Sequence, residues 1–185
     1  MKCKDHTTIE GIQAIINLKV YLNRGLSKDL QEIFPSTIAV PRPKVVFEGI
    51  PNPNWLVGFA EGESCFFVRV YKSPKSKLGL AVQLAFSVTQ HSRDKELLYG
   101  ILKFFDCGRV ANRSGECCDF RVNSLKELDE KVIPFFLKYP LPGSKSLNFH
   151  DFKKVLEMMK NKEHLTENGL ITIQKIKAGM NMGRE

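Results

Sequence analysis

From Leu80 to Gln90 the chain reads LAVQLAFSVTQ, with Leu80, Val82, Leu84, Phe86 and Val88 alternating with Ala81, Gln83, Ala85, Ser87 and Thr89. A period of two predicts a strand with one dry and one wet face. The preceding segment, Cys65 to Lys72, is rich in Phe, Val and Tyr and predicts a second strand, joined to the first by the turn residues of Ser73 to Gly79. Before that, Trp55 to Gly62 reads as a helix that Pro53 or Asn54 can start. RDKELLYGILKFF has helical spacing, CGRVANRSGECCDFRVN reads as a hairpin turning at Ser114 and Gly115, and SLKELDEKVIPFFLKYP and LNFHDFKKVLEMMKNKE are amphipathic helices. The order is helix, two strands, helix, two strands, helices. That makes an α+β unit with one antiparallel sheet.

The two ends of the chain repeat each other. MKCKDHTTIEGIQAIINLKVYLNRG aligns without a gap to MKNKEHLTENGLITIQKIKAGMNMG, so that His6, Thr8, Gly11, Ile15, Lys19 and Gly25 recur as His164, Thr166, Gly169, Ile173, Lys177 and Gly183. In each copy the Thr is placed to cap an amphipathic helix and the Gly, Gly25 or Gly183, to stop it. Matching polar positions argue for a duplicated element rather than two convergent helices. The expected organisation is residues 1–26 as a terminal helix like the end of a preceding repeat, 27–52 as a linker, and 53–185 as a whole repeat. Five prolines between Phe34 and Asn54 exclude a helix interior there and suit an extended connection.

Composition narrows the function classes. With 185 residues and 43% hydrophobic content the chain suits one ordinary domain, and no apolar run approaches the ~20 residues that cross a bilayer. Residue 1 is followed by neither an apolar leader nor a small-residue cleavage site, so a soluble, unsecreted protein without a membrane partner is expected. The five cysteines, Cys3, Cys65, Cys107, Cys117 and Cys118, lack zinc-site spacing and read as reduced, mostly core thiols. A net charge of +8 favours a polyanionic partner, nucleic acid first.

The stretch LVGFAEGES, Leu56 to Ser64, resembles the LAGLIDADG motif of the LAGLIDADG homing endonucleases. The αββαββα order that follows is also theirs. The resemblance covers nearly the whole chain and is closest to the second half of fungal mitochondrial two-repeat members, through FSVTQH and NKEHLT. It implies one curved four-stranded antiparallel sheet, a mitochondrial setting, double-stranded DNA as partner and a divalent cation, Mg²⁺ or another, as cofactor. Glu63 matches the motif's eighth position, the family's metal-binding acid, and Glu61 the sixth, a structural or helix-interface acid. Gln90 and Lys145 fall near positions where the family organises water or balances charge at the scissile phosphate. Ser64 stands where the motif has Gly, and its Cβ is expected to shift Glu63.

The chemistry of these residue types agrees. Carboxylates are hard oxygen ligands suited to Mg²⁺, which activates water and stabilises the departing oxygen in phosphodiester cleavage. Gly58 and Gly62 lie four apart on one helical face, where a second helix can approach closely. Such a face would leave Leu56, Val57 and Phe59 in need of cover from a partner. On the wet side of the sheet, alternation groups Arg69 and Tyr71, then Gln83, Ser87 and Thr89, then Arg109 and Arg113, then Asp119, Arg121 and Asn123. Lys72, Lys75 and Lys77 crowd the first hairpin turn. Arg and Gln at this period can reach base edges while lysines hold phosphates. His91 and Arg93 read as surface residues, and His6 and His164 as structural.

Two functions remain open at this level. One is a metal-dependent, sequence-specific DNA endonuclease that needs a second LAGLIDADG motif from a homodimer mate or a complementary half, since this chain contains one. The other is a noncatalytic nucleic-acid binder, a maturase-like intron RNA factor or a structural rRNA-binding protein derived from such an enzyme. RNA is therefore the second candidate partner.

Overall fold

The computed structural model describes residues 4–22, 25–41 and 46–183. It divides into two units that meet at Val46/Phe47. In the first, Thr8 accepts from the Gly11 N–H at 3.0 Å and caps α1 (Ile9–Lys19). A short helix, α2 (Lys28–Ile33), follows, capped by Ser27. The connector then turns back on α1, with Asn17 accepting from Ile38 N–H through its side chain and from Val40 N–H through its carbonyl.

In the second unit, Asn52 accepts from Trp55 N–H at 2.9 Å and Pro53 occupies the first turn of α3 (Pro53–Glu63). Here a missing N–H costs nothing. The chain passes directly into β1 (Ser64–Lys72) and, through the lysine-rich turn, into β2 (Leu80–His91). Next come α4 (Lys95–Phe105), β3 (Arg109–Asn112) and β4 (Cys117–Val122). The four strands form one antiparallel sheet in the order β1-β2-β4-β3. The α+β class and the αββαββα order are those expected.

The remaining helices are α5 (Leu125–Glu127), α6 (Ile133–Lys138), α7 (Lys145–Lys160) and α8 (Glu167–Ala178), and α4, α7 and α8 lie against the strands. Between α5 and α6 lies a π-helical turn, Leu128–Val132. The amphipathic reading of this stretch is right in kind, but Pro134 has no N–H to give the carbonyl four residues back, and the ladder widens just ahead of it. Strand residues Phe66, Val68, Leu84, Phe86, Val88, Phe120 and Val122 point to the buried side. The Phe66 ring lies within 5.5 Å, centroid to centroid, of those of Phe86, Phe136, Phe149 and Phe152, so β1, β2, α6 and α7 share one aromatic core.

The glycine stops differ from expectation. α1 ends at Lys19 and α8 at Ala178, both well before Gly25 and Gly183. Each helix tightens into i→i+3 turns that satisfy its last carbonyls, Leu22 to Lys19 and Gly25 to Leu22 in one, Gly179 to Ile176 and Gly183 to Met180 in the other. The glycines close these turns rather than the helices. Leu56 and Val57 also depart from expectation: both are buried in the chain's own core, and Phe59 packs against it. Among the described residues no helix is long and apolar enough to cross a membrane, and Cys65, Cys107, Cys117 and Cys118 are free thiols, Cys107 and Cys118 buried. Cys3 lies outside the described residues.

Candidate functional site

The last turn of α3 delivers Glu61 and Glu63 in opposite directions. Glu63 is exposed, and its Oε2 accepts from Gln90 Nε2 at 3.0 Å, near the end of β2. Glu61 turns inward to the start of α7, where its Oε1 accepts from Lys145 N–H at 3.3 Å. Ser144 makes no side-chain cap there, so Glu61 supplies the negative group that the N-terminus of α7 favours. Lys145 reciprocates. Its Nζ donates to the carbonyl oxygens of Ala60 (3.1 Å), Gly62 (3.4 Å) and Ser64, so that a cation closes the C-terminus of α3. Burial lowers the Lys145 pKa, against the opposing pull of Glu61, Cys65 and Glu63.

This clasp depends on a residue that sequence reading passed over. A side chain at Gly143 would collide with the Glu61 carboxylate, so the loop ahead of α7 must lack one. The Pro-Gly pair at 142–143 signals a turn, but nothing in it points to a carboxylate from residue 61. The Oε2 of Glu61 is buried without a hydrogen-bond partner.

Ser64 does not disturb the acid. Its backbone is ordinary extended chain, φ −90° and ψ 161°, which requires no glycine. Its hydroxyl donates to the Ala60 carbonyl at 2.6 Å and adds a further bond to the helix end. The expectation that a Cβ here would move Glu63 is corrected on that ground.

The polar side of the sheet carries the residues that alternation assigns to it. Cross-strand partners share a face, and the register pairs Arg69 with Gln83, Cys65 with Ser87, Ser87 with Arg121, Thr89 with Asp119, and Arg109 with Arg121. Ala81, Ala85 and Ala111 lie between these larger residues. Arg69 also lies over the Tyr71 ring at 5.0 Å. Lys72 pairs with Leu80 and has the opposite parity, so it belongs with Lys75 and Lys77 at the hairpin end, all three exposed.

Not every residue on this face is free to touch a ligand. Ser87 and Asp119 are buried, and Asp119 accepts from Thr89 Oγ1 at 2.7 Å while pairing with Arg113 Nε at 3.4 Å in the second hairpin turn. Arg109 and Arg121 stand directly opposite each other, an arrangement that costs stability unless an anion lies near. Arg121 Nε and Asn123 Oδ1 are buried without a hydrogen-bond partner, and both line a 210 Å³ hollow with Arg109. At the far end of β2, His91 accepts from Arg93 N–H through Nδ1, which leaves Nε2 to donate to Glu116 at 2.9 Å.

Gly58 and Gly62 are exposed on α3, with nothing within 4 Å of where a Cβ would stand. Trp55, stacked on Phe59 at 5.2 Å, is exposed one turn before Gly58. The face is open, flat at its glycines and aromatic at its start.

A helix ending in an outward acid lies beside a four-stranded sheet with an arginine-rich face, and the family model for LAGLIDADG endonuclease matches residues 56–156 of this same unit: the chain belongs to that family. The chain is similar to the probable intron-encoded endonuclease 2 of Neurospora crassa, 39% identical over 183 residues, covering 93% of this chain and 39% of that one. Two solved structures align over all of it: the I-SmaMI LAGLIDADG homing endonuclease bound to cleaved DNA (38% identity, TM-score 0.97) and the I-LtrWI LAGLIDADG homing endonuclease bound to target DNA (50%, 0.94). The chain spans 62% of each of those endonucleases and about two fifths of the Neurospora relative.

Disabling the clasp should cost stability without unfolding the core. Lys145→Met removes the ammonium that donates to the Ala60, Gly62 and Ser64 carbonyls and should lower the urea unfolding free energy by about 2 kcal/mol. Gly143→Ala should cost a similar amount by forcing Glu61 off α7. If both breaks act on one clasp, the double variant should lose clearly less than the sum of the two.

Proposed function

We propose that this chain is one half of a divalent-metal-dependent, sequence-specific DNA endonuclease, with the second half supplied by another LAGLIDADG motif from a complementary half or a dimer mate. The observation that carries this reading is Glu63: an exposed carboxylate, fixed at a helix end by a clasp that spends a lysine and a second glutamate on holding it, at the margin of a basic sheet face. The DNA-bound relatives support double-stranded DNA as the partner. The intron-encoded Neurospora relative supports an intron-borne gene, for which we assign a mitochondrial setting by the family resemblance.

Glu63 is the residue we assign to metal, with Gln90 and Lys145 beside it in auxiliary roles. The donor set fits a hard cation such as Mg²⁺ only in part. Among the described residues no three His, Cys, Asp or Glu side chains group together, so the remaining oxygens would come from the partner motif, from the scissile phosphate and from water. When bound, the cation supplies an activated water and stabilisation of the leaving oxygen. The chain's own contributions are separate. Gln90 orients the Glu63 carboxylate, Lys145 brings positive charge to the same helix end, and the arginine face positions the duplex. Gly58 and Gly62, with Trp55 at the rim, form the surface on which the partner's motif helix would lie.

Cleavage chemistry is tested at the two acids. Glu63→Gln should retain DNA affinity and abolish cleavage of a plasmid library in Mg²⁺ or Mn²⁺, in the presence of the partner half, because the amide keeps the shape and loses the charge. Glu61→Gln should cut at a reduced rate, since its amide oxygen still accepts from Lys145 N–H. A wild-type chain that cuts nothing with any partner or metal, yet binds structured RNA tightly, would replace this reading with that of a noncatalytic binder.

Binding should fall steeply with salt, log K losing about 0.9 per unit log salt for each DNA phosphate neutralised. Lys75→Ala should weaken all sequences alike and reduce that slope by about 1, whereas Arg69→Ala and Gln83→Ala should relax preference at single positions. Competition titrations at several salt concentrations read both effects.

The helix face is tested by Gly58→Leu. It should leave the isolated chain as stable or stabilise it by up to about 1 kcal/mol, because an exposed helix glycine is replaced by a good helix former. Double-strand cleavage should nevertheless be lost, as the partner helix can no longer approach.

A further inference from the structure

β1 carries one side chain that neither the core nor the charged face explains. By parity Cys65, Phe67, Arg69 and Tyr71 share the polar side of the sheet, and Phe67 is 40% exposed there. Its neighbour Phe66, on the other side, is fully buried and meets four other rings. Among the described residues Phe67 neither belongs to the core nor packs against it. It therefore gives up the burial that rewards so large an apolar side chain.

The residues around this ring are small or turned away from it. Ala85 stands directly opposite on β2 and is 3% exposed, although it lies on the polar side. Cys65, two residues before, directs its Sγ to Asn181 Oδ1 at 3.9 Å. Arg69, two residues after, lies over the Tyr71 ring at 5.0 Å and so leans toward the hairpin, away from Phe67. Phe67 and Ala85 thus form one apolar spot. Guanidiniums bound it on both sides, Arg69 in the row toward the hairpin and Arg121 with Arg109 in the row toward Glu63.

These two properties together select a ligand. A cationic surface is matched by a polyanion, and the base edges of a DNA major groove present hydrogen-bonding groups and one apolar group, the C5 methyl of thymine. Phe67 and Ala85 can offer nothing to a donor or an acceptor. A methyl is what they fit.

On the endonuclease reading given above, we propose that Phe67, opposite Ala85, is a specificity-determining residue that recognises the C5 methyl of one thymine in the half-site bound by this chain. Arg69 and Gln83 read donors and acceptors, which thymine and uracil share. Phe67 reads the methyl by which those two bases differ.

The test removes that methyl and leaves every hydrogen bond of the duplex in place. A preferred duplex is selected by the full chain from a random library, and each of its thymines is then replaced singly by deoxyuridine. In competition titrations one replacement should weaken binding about fourfold, the worth of one buried methyl. At that position a cytosine should bind more weakly than thymine, and 5-methylcytosine should bind about fourfold more tightly than cytosine. Phe67→Ala should bind the thymine and deoxyuridine duplexes alike, Phe67→Leu should keep about a twofold ratio, and Ile171→Ala, a similarly exposed apolar residue of α8 (49%), should keep the whole ratio. A selected duplex indifferent to all of its thymine methyls overturns the proposal and leaves the endonuclease reading standing. So does a Phe67→Ala chain that keeps the fourfold ratio, whatever its overall affinity. A chain that selects no duplex sequence at all overturns both.

Discussion

The exchange of end caps between α3 and α7 is the interaction on which the site depends. The C-terminus of α3 has unpaired carbonyls and a partial negative charge, and the N-terminus of α7 has unpaired N–H groups and a partial positive one. Lys145 answers the first and Glu61 the second, each from the other's helix. Two charges that would each lose hydration on burial are paired with backbone dipoles instead, and the helix end becomes rigid within a residue of Glu63. In the metal role proposed for Glu63, the acid must not be drawn toward neighbouring cationic side chains. Fixing its backbone and orienting its carboxylate through Gln90 both oppose that.

The sheet face follows from the same economy of charge. Its core side is filled by phenylalanines and branched residues, and most of the polar side chains of the strands are directed to the other side. There, Arg69 faces Gln83 and Arg109 faces Arg121 across neighbouring strands, while the one acid, Asp119, is absorbed by Thr89 and Arg113. What is left for a ligand is a cationic surface with two opposed guanidiniums. Such a surface is less stable alone than with a polyanion laid across it.

Much of this was legible in advance. The alternation of β2 identified both faces correctly because strand parity is a local property, and one buried side is enough to fix register. Thr8 and Thr166 were legible as caps because an N-cap bond spans three residues. The motif was legible because its acids, glycines and following strand are contiguous. Local chemistry failed where the competing bond was also local: the turns that close α1 and α8 end each helix before the glycine that sequence reading chose.

The sequence by itself determined the α+β class, the two hairpins, the polar face, the duplicated capping module and the candidate acid, since each depends on residues near one another along the chain. Tertiary structure alone decided that Leu56 and Val57 are covered from within, that Ser64 adopts a backbone any residue accepts, and that Asp119 is tied up rather than displayed. It alone decided the clasp as well. Glu61 and Lys145 are 84 residues apart, and a glycine at position 143 matters only because a carboxylate from another helix arrives there. No pattern of hydropathy records such a meeting, because it is set by how two helix ends are brought together over a shared core.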